Sequence, residues 1–231
     1  MLRFTPGETM LGKPTQALPP NCVVLLWRSL FVGLILSVAP AFPVAATDNR
    51  CIEAVFFDLG DTLVEAAPGG LYAPMPGARQ TVDGLRALGK QVGIISNVPP
   101  GWTRADLDAL MAEPAFLDEF DVLVLSSQAP AAKPDPRIYT HAHGLLPTPV
   151  PIAQTAFVGE TLTEIANSQH TPTSGARAVG MIGIHLSSDP PSPLADYTIA
   201  PDALPAIATL VGNLCPVFGD GFETAAFRPR Q

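Results

Sequence analysis

The chain has 231 residues, of which 47% are hydrophobic and 15% charged, with 21 acidic against 13 basic side chains. A net charge of −8 argues against nucleic acid and against an anionic membrane surface as partners. The apolar share is that of a folded domain, and 26 prolines point to long, stiff loops around it.

Residues 1–46 read as a leader. Residues 29–39 are almost wholly apolar, Arg28 precedes them, and Val44-Ala45-Ala46 offers the small residues at which leaders are cut. As a membrane span the stretch is poor, because Arg28 breaks it and Pro40 and Pro43 follow. A cleaved leader is therefore favoured over a retained anchor. It implies an exported protein, periplasmic or secreted, with no stable membrane association. Without Arg3, Glu8, Lys13 and Arg28 the remaining 185 residues carry 10 basic and 20 acidic side chains, a net of −10. That length suits one domain, residues 47–212, followed by a tail, residues 213–231.

Apolar runs then alternate with amphipathic stretches. Strands are predicted at residues 52–58, 91–95, 121–125, 155–158 and 181–186, with a short edge strand at 197–199. Helices are predicted at 78–88, 103–111, 136–143 and 201–211. Thr103 is placed as an N-cap and Pro136 in a first turn. This alternation implies parallel βαβ units and a doubly wound α/β sheet. His141 and His143 lie two apart on a helix and make a poor metal pair. His185 is read as structural. Trp102 is read as packing, with the crevice as its alternative.

The most informative run is Ala54-Val55-Phe56-Phe57-Asp58-Leu59-Gly60-Asp61-Thr62-Leu63. A buried strand ends at a carboxylate, at the sheet edge where open α/β folds bind ligands. Taken alone, Asp58 could simply cap the turn. Three later segments weigh against that. They are Val92-Gly93-Ile94-Ile95-Ser96-Asn97, Ala132-Lys133-Pro134-Asp135-Pro136, and Thr155-Ala156-Phe157-Val158-Gly159-Glu160 with Glu164 beyond it.

In this order the four segments resemble the motifs of the haloacid dehalogenase superfamily of hydrolases, across about residues 52–212. The run Gly175-Ala176-Arg177-Ala178-Val179-Gly180 extends the likeness. The resemblance implies a phosphohydrolase acting through an aspartyl-phosphate on Asp58. Lys133 would offset phosphoryl charge, and Ser96 and Asn97 would contact the phosphate. Mg²⁺ would be held by Asp58, the Gly60 carbonyl, Glu160 and Glu164. The substrate would be a small-molecule or protein phosphate, either a phosphomonoester or an acyl phosphate.

Two departures from the family pattern stand out. Where its phosphatases place a proton-donating Asp, this chain has Gly60. Asp61 follows, one residue later on the turn, as a surrogate acid whose aim differs. Only a short segment separates the first strand from its helix, so no sizeable cap is expected and the site should be open. Gly60 motivates a second reading, a degenerate domain that binds phosphate or a partner without turnover. A third is a receiver-like phospho-acceptor domain, although receivers carry their Asp on the third strand. Dehalogenation fits least, since it needs a closed apolar pocket.

Cys51 and Cys215 are predicted to pair, which suits export. Cys51 starts the first strand, and a final helix running back across the sheet would end near it. The alternative is two unrelated small buried residues.

Overall fold

The structure, a computed structural model, describes residues 51–215. The predicted leader and residues 216–231 of the tail lie outside the described residues. Among the described residues no helix is long and apolar enough to cross a membrane.

Strand β1 is Ala54–Phe57, followed by a hairpin of β2 (Val64–Ala67) and β3 (Leu71–Pro74). Next come α1 (Ala78–Ala87), β4 (Gln91–Ser96), α2 (Arg104–Asp108), β5 (Val122–Leu125) and α3 (Pro136–His143). The remainder is β6 (Thr155–Gly159), α4 (Leu162–Ile165), β7 (Ile182–Leu186), β8 (Tyr197–Ile199) and α5 (Ala206–Leu214). Six strands form one parallel sheet in the order β5-β4-β1-β6-β7-β8. The order reverses at β1, whose Phe57 pairs with Ile94 on one side and Val158 on the other. That reversal opens a crevice at the carboxyl ends of β1, β4 and β6.

Side chains alternate across the sheet because strand geometry has period two. Val55 and Phe57 point into a core shared with Val82 and Leu85 of α1 and with Ile207 and Val211 of α5. Ala54 and Phe56 point into a second core with Ile138 and Tyr139 of α3. Tyr139 and Phe157 meet edge to face at 5.2 Å. β1 is buried on both faces, hence its unbroken apolar run.

Three elements differ from expectation. Residues 64–74, expected as a bare connection, form the β2–β3 hairpin, with Gly69 at φ +81° and Gly70 at φ +76° at its tip. α2 is shorter than residues 103–111. Its last turn is given up to β3, with Tyr72 N–H donating to the Leu110 carbonyl at 2.8 Å and Ala112 N–H to that of Tyr72 at 2.7 Å. The helix expected at 201–211 is a 3-10 turn at Pro201–Ala203 and then α5. Pro205 lies at the break, and proline has no N–H for a continuous helix. The polar stretch 167–174 is a pinned loop. The Asn167 side-chain oxygen accepts from the Thr173 N–H at 2.9 Å and the Ser174 N–H at 3.2 Å.

Cys51 and Cys215 are joined by a disulfide. The bond sits at the amino edge of the sheet, where α5 ends beside the chain entering β1. It closes a loop of 164 residues, which in the chain-entropy model stabilises the fold by up to about 5 kcal/mol. Reduction should therefore lower the melting temperature markedly. Alkylation without reductant should leave both residues unlabelled; two labelled thiols in oxidised material would contradict the pairing.

Candidate active site

Each predicted site residue stands at the carboxyl edge of the sheet. Asp58 follows β1, Ser96 ends β4, Glu160 follows β6 and Glu164 lies in α4. Lys133 arrives from the loop before α3. Asp58, Gly60, Asp61, Ser96, Asn97, Lys133, Glu160 and Glu164 all line one cavity of about 400 Å³.

Lys133 is the hub. Its side chain is 1% exposed and makes ion pairs with Asp58 and, at 2.7 Å, with Glu164 Oε2. Its ammonium also lies 5.5 Å from the centre of the Phe157 ring. Asn97 fixes the lysine's backbone in both directions. Its Nδ2 donates to the Lys133 carbonyl at 3.0 Å, and its Oδ1 accepts the Lys133 N–H at 2.9 Å. The carboxamide predicted to contact phosphate is thus engaged with the Lys133 loop. Gly175 adds a second tether, donating its N–H to the Pro134 carbonyl at 2.7 Å. Gly175 has φ +83°, and a Cβ there would stand 2.5 Å from the Ile165 carbonyl oxygen. Only glycine lets the Lys133 loop and α4 approach so closely.

Asp58 Oδ1 accepts the Leu59 N–H at 2.7 Å. Burial pushes the Asp58 carboxyl up to about 6; Lys133 pulls it down, while Glu164 and Glu160 push it up. Burial also raises Glu164, against the pull of Lys133. Burial pushes Glu160 up too, but hydroxyl hydrogen bonds outweigh it and hold the carboxyl below its ordinary value. The donors are Thr161, to Oε1 at 2.7 Å, and Thr62, to Oε2 at 2.8 Å. His185 Nε2 donates to the Glu160 carbonyl at 2.9 Å.

Thr62 and His185 therefore position Glu160, and the sequence assigns neither to the site. Thr62 is fully buried, and its signal was its place in the first-motif turn. His185 was read as structural; the structure uses that packing to hold Glu160. Gly60 is not in the left-handed region, and a Cβ built on it meets nothing within 4 Å. Asp61 is the only non-glycine residue with positive φ among the described residues, at +53°. It is exposed at the cavity.

A parallel, doubly wound sheet thus brings a buried carboxylate, a hydroxyl, a lysine and two further acids to one crevice at its switch point. A family model described as haloacid dehalogenase-like hydrolase matches residues 67–166. Fold and match agree: over residues 67–166 the chain is similar to a haloacid dehalogenase-like hydrolase. No curated protein matches it. Among solved structures, an uncharacterised protein from Listeria monocytogenes serotype 4b is 18% identical, with TM-score 0.52, covering 71% of this chain and 98% of its own. An L-2-haloacid dehalogenase is 15% identical, with TM-score 0.52, covering 69% and 98%. CbbY from Rhodobacter sphaeroides in complex with phosphate is 17% identical, with TM-score 0.50, covering 66% and 96%. At these identities the likeness is one of fold.

Proposed function

We propose that the protein is an exported, Mg²⁺-dependent phosphohydrolase that transfers a phosphoryl group to Asp58 and then to water. The observation that carries this reading is the buried Asp58 carboxylate held against Lys133 at the switch point of the sheet. A carboxylate needs no activating base to attack phosphorus. An Asp58 oxygen would bond to phosphorus while the bond to the leaving oxygen breaks and that oxygen keeps the electron pair. Water would then release phosphate from Asp58. Lys133 would offset phosphoryl charge, and Ser96 lies where its hydroxyl could donate to a phosphoryl oxygen.

The residues present suit a hard cation. Four carboxylates line the cavity beside a single ammonium, and every ligand atom they offer is oxygen. Asp58, the Gly60 carbonyl and Glu160 are the ligands proposed. Glu164, predicted as a fourth, stands on the lysine side. Among the described residues, no set of one oxygen each from Asp58, Glu160 and Glu164 lies mutually within 4.8 Å. A bound Mg²⁺ would supply positive charge opposite the incoming phosphate. Export is supported by the disulfide, which belongs to oxidising compartments.

Gly60 favours one alternative, a domain that binds phosphate without turnover. The receiver-like reading has no support from the family match. The discriminating experiment is kcat/KM against leaving-group pKa, with Mg²⁺ and with chelator. With no acid at position 60, esters of acidic leaving groups should react about a hundred- to ten-thousand-fold faster than alkyl phosphates. Gly60→Asp, for which the structure has room, should narrow that gap. No hydrolysis of any phosphate would favour the binding domain. A flat dependence with chemistry rate-limiting would mean that another residue donates the proton, with Asp61 the first to test.

A further inference from the structure

The cavity has two unlike halves. Its floor is the acidic cluster around Lys133. Its side is an apolar wall of Val64 and Tyr72 from the hairpin, and Trp102, Leu107, Leu110 and Met111 from the segment around α2. The chemistry derived so far uses none of these six. Tyr72 is 41% exposed, an aromatic face left open at the mouth of a catalytic-type cleft.

The wall is held in place. The reciprocal backbone bonds between Tyr72 and the Leu110–Ala112 segment join hairpin to α2. Thr103 and Asp106 form a capping box at the start of α2. Arg104 binds Asp108 at 2.6 Å and Asp118 at 2.7 Å. Ser127 Oγ donates to the Trp102 carbonyl at 2.5 Å. A preformed apolar surface loses little entropy when a ring lies on it.

Charge narrows the ligand further. Among the residues lining the cavity Lys133 is the single cation, already shared by Asp58 and Glu164. Asp61 and Glu160 add two more carboxylates. A second phosphate or a carboxylate on the substrate would find repulsion and no partner. The wall offers little hydrogen bonding to a sugar.

Building on the phosphohydrolase reading, we propose that the site takes the phosphate monoester of a phenol, with the ring against Tyr72, Trp102 and Leu110. The leaving group agrees with the floor. Asp58 oxygen bonds to phosphorus, the phosphorus–aryl oxygen bond breaks, and the electron pair leaves as phenolate. A phenolate departs without the proton that Gly60 cannot give. An acyl phosphate would also leave unaided, but it has no ring for the wall.

The test uses the full chain, with Mg²⁺, and reads binding by calorimetry. Phenylphosphonate and methylphosphonate present the same headgroup and cannot be hydrolysed. Phenylphosphonate should bind at least about tenfold tighter, through ring burial and stacking. That ratio should fall towards one in Trp102→Ala and in Leu110→Ala, and recover in Trp102→Phe. Equal binding of the two phosphonates by the native protein overturns the proposal, as does a ratio untouched by both alanine variants. Acetyl phosphate turnover is measured separately. Absence of turnover of both acetyl phosphate and phenyl phosphate beside a standing binding preference would sink the phosphohydrolase reading, whereas turnover without the preference would sink the aryl assignment alone. Phenyl phosphate and a neutral phosphotyrosine peptide then distinguish the source. Hydrolysis of the peptide points to a protein tyrosine, and hydrolysis of phenyl phosphate alone to a free phenol.

Discussion

Asp58→Asn is expected to lose at least about four orders of magnitude in phosphate hydrolysis, the scale of deleting a covalent nucleophile. The same variant should report the electrostatic strain of the site. The Asp58 carboxyl rises from 3.8 to about 6, chiefly through burial. The folded state thus holds this proton more tightly than the unfolded chain does. Its contribution to stability is complete below about pH 4 and is lost as the pH climbs through 6. Asparagine has no charge to strand, and Lys133 keeps Glu164 as its partner. In chelator, the stability of Asp58→Asn relative to the native protein should therefore improve between pH 4 and pH 7, by on the order of 3 kcal/mol at most. Thermal melts at the two pH values read this directly. Residual hydrolysis near the native rate would remove Asp58 from the chemistry, and a stability difference independent of pH would contradict the buried, raised carboxyl.

Lys133→Met should be damaging in a different way. The ammonium is the shared partner of two mostly buried carboxylates, Asp58 and Glu164. Removing it leaves both without compensation, and breaking a buried pair in this manner costs about 3–5 kcal/mol. The two acids would then hold their protons to still higher pH, so the loss should be larger at pH 8 than at pH 5. Turnover should fall by at least about a hundredfold with Mg²⁺ saturating, because the charge opposite the phosphoryl oxygens is gone. Glu160→Gln offers the contrast, since excess metal should partly restore it. Chemical denaturation at the two pH values, with initial rates across a Mg²⁺ series, separates the cases. Full rescue of Lys133→Met by metal would assign the lysine's role to the cation.

The sheet was legible because its strands are buried on both faces and announce themselves as apolar runs. β1, β4 and β6 each end at a polar group, so the floor of the site was legible with them. The hairpin was not. Val64–Ala67 and Leu71–Pro74 are four-residue strands, too short for alternation to stand out, and Gly69-Gly70 was the only local signal. α4 spans four residues, less than two turns, and shows no period. The clamp of Asn97 on Lys133 links positions 36 apart, so sequence showed each residue but not their bond. Thr62 reaches Glu160 across 98 residues for the same reason. The wall, apart from the crevice alternative for Trp102, was missed because its residues come from two segments distant in sequence that are joined by backbone bonds of Tyr72 with Leu110 and Ala112.

The cystine also decides how the domain carries load. Its two α-carbons are 4.4 Å apart, and the whole sheet lies in the covalent loop between them. Tension entering through the chain before Cys51 and leaving beyond Cys215 crosses the sulfur bridge and bypasses the β1 hydrogen bonds. While that bridge is oxidised, pulling on the two ends cannot peel a strand from the sheet. Reduction transfers the same force to the first strand and the last helix, the two elements that anchor opposite ends of the described chain.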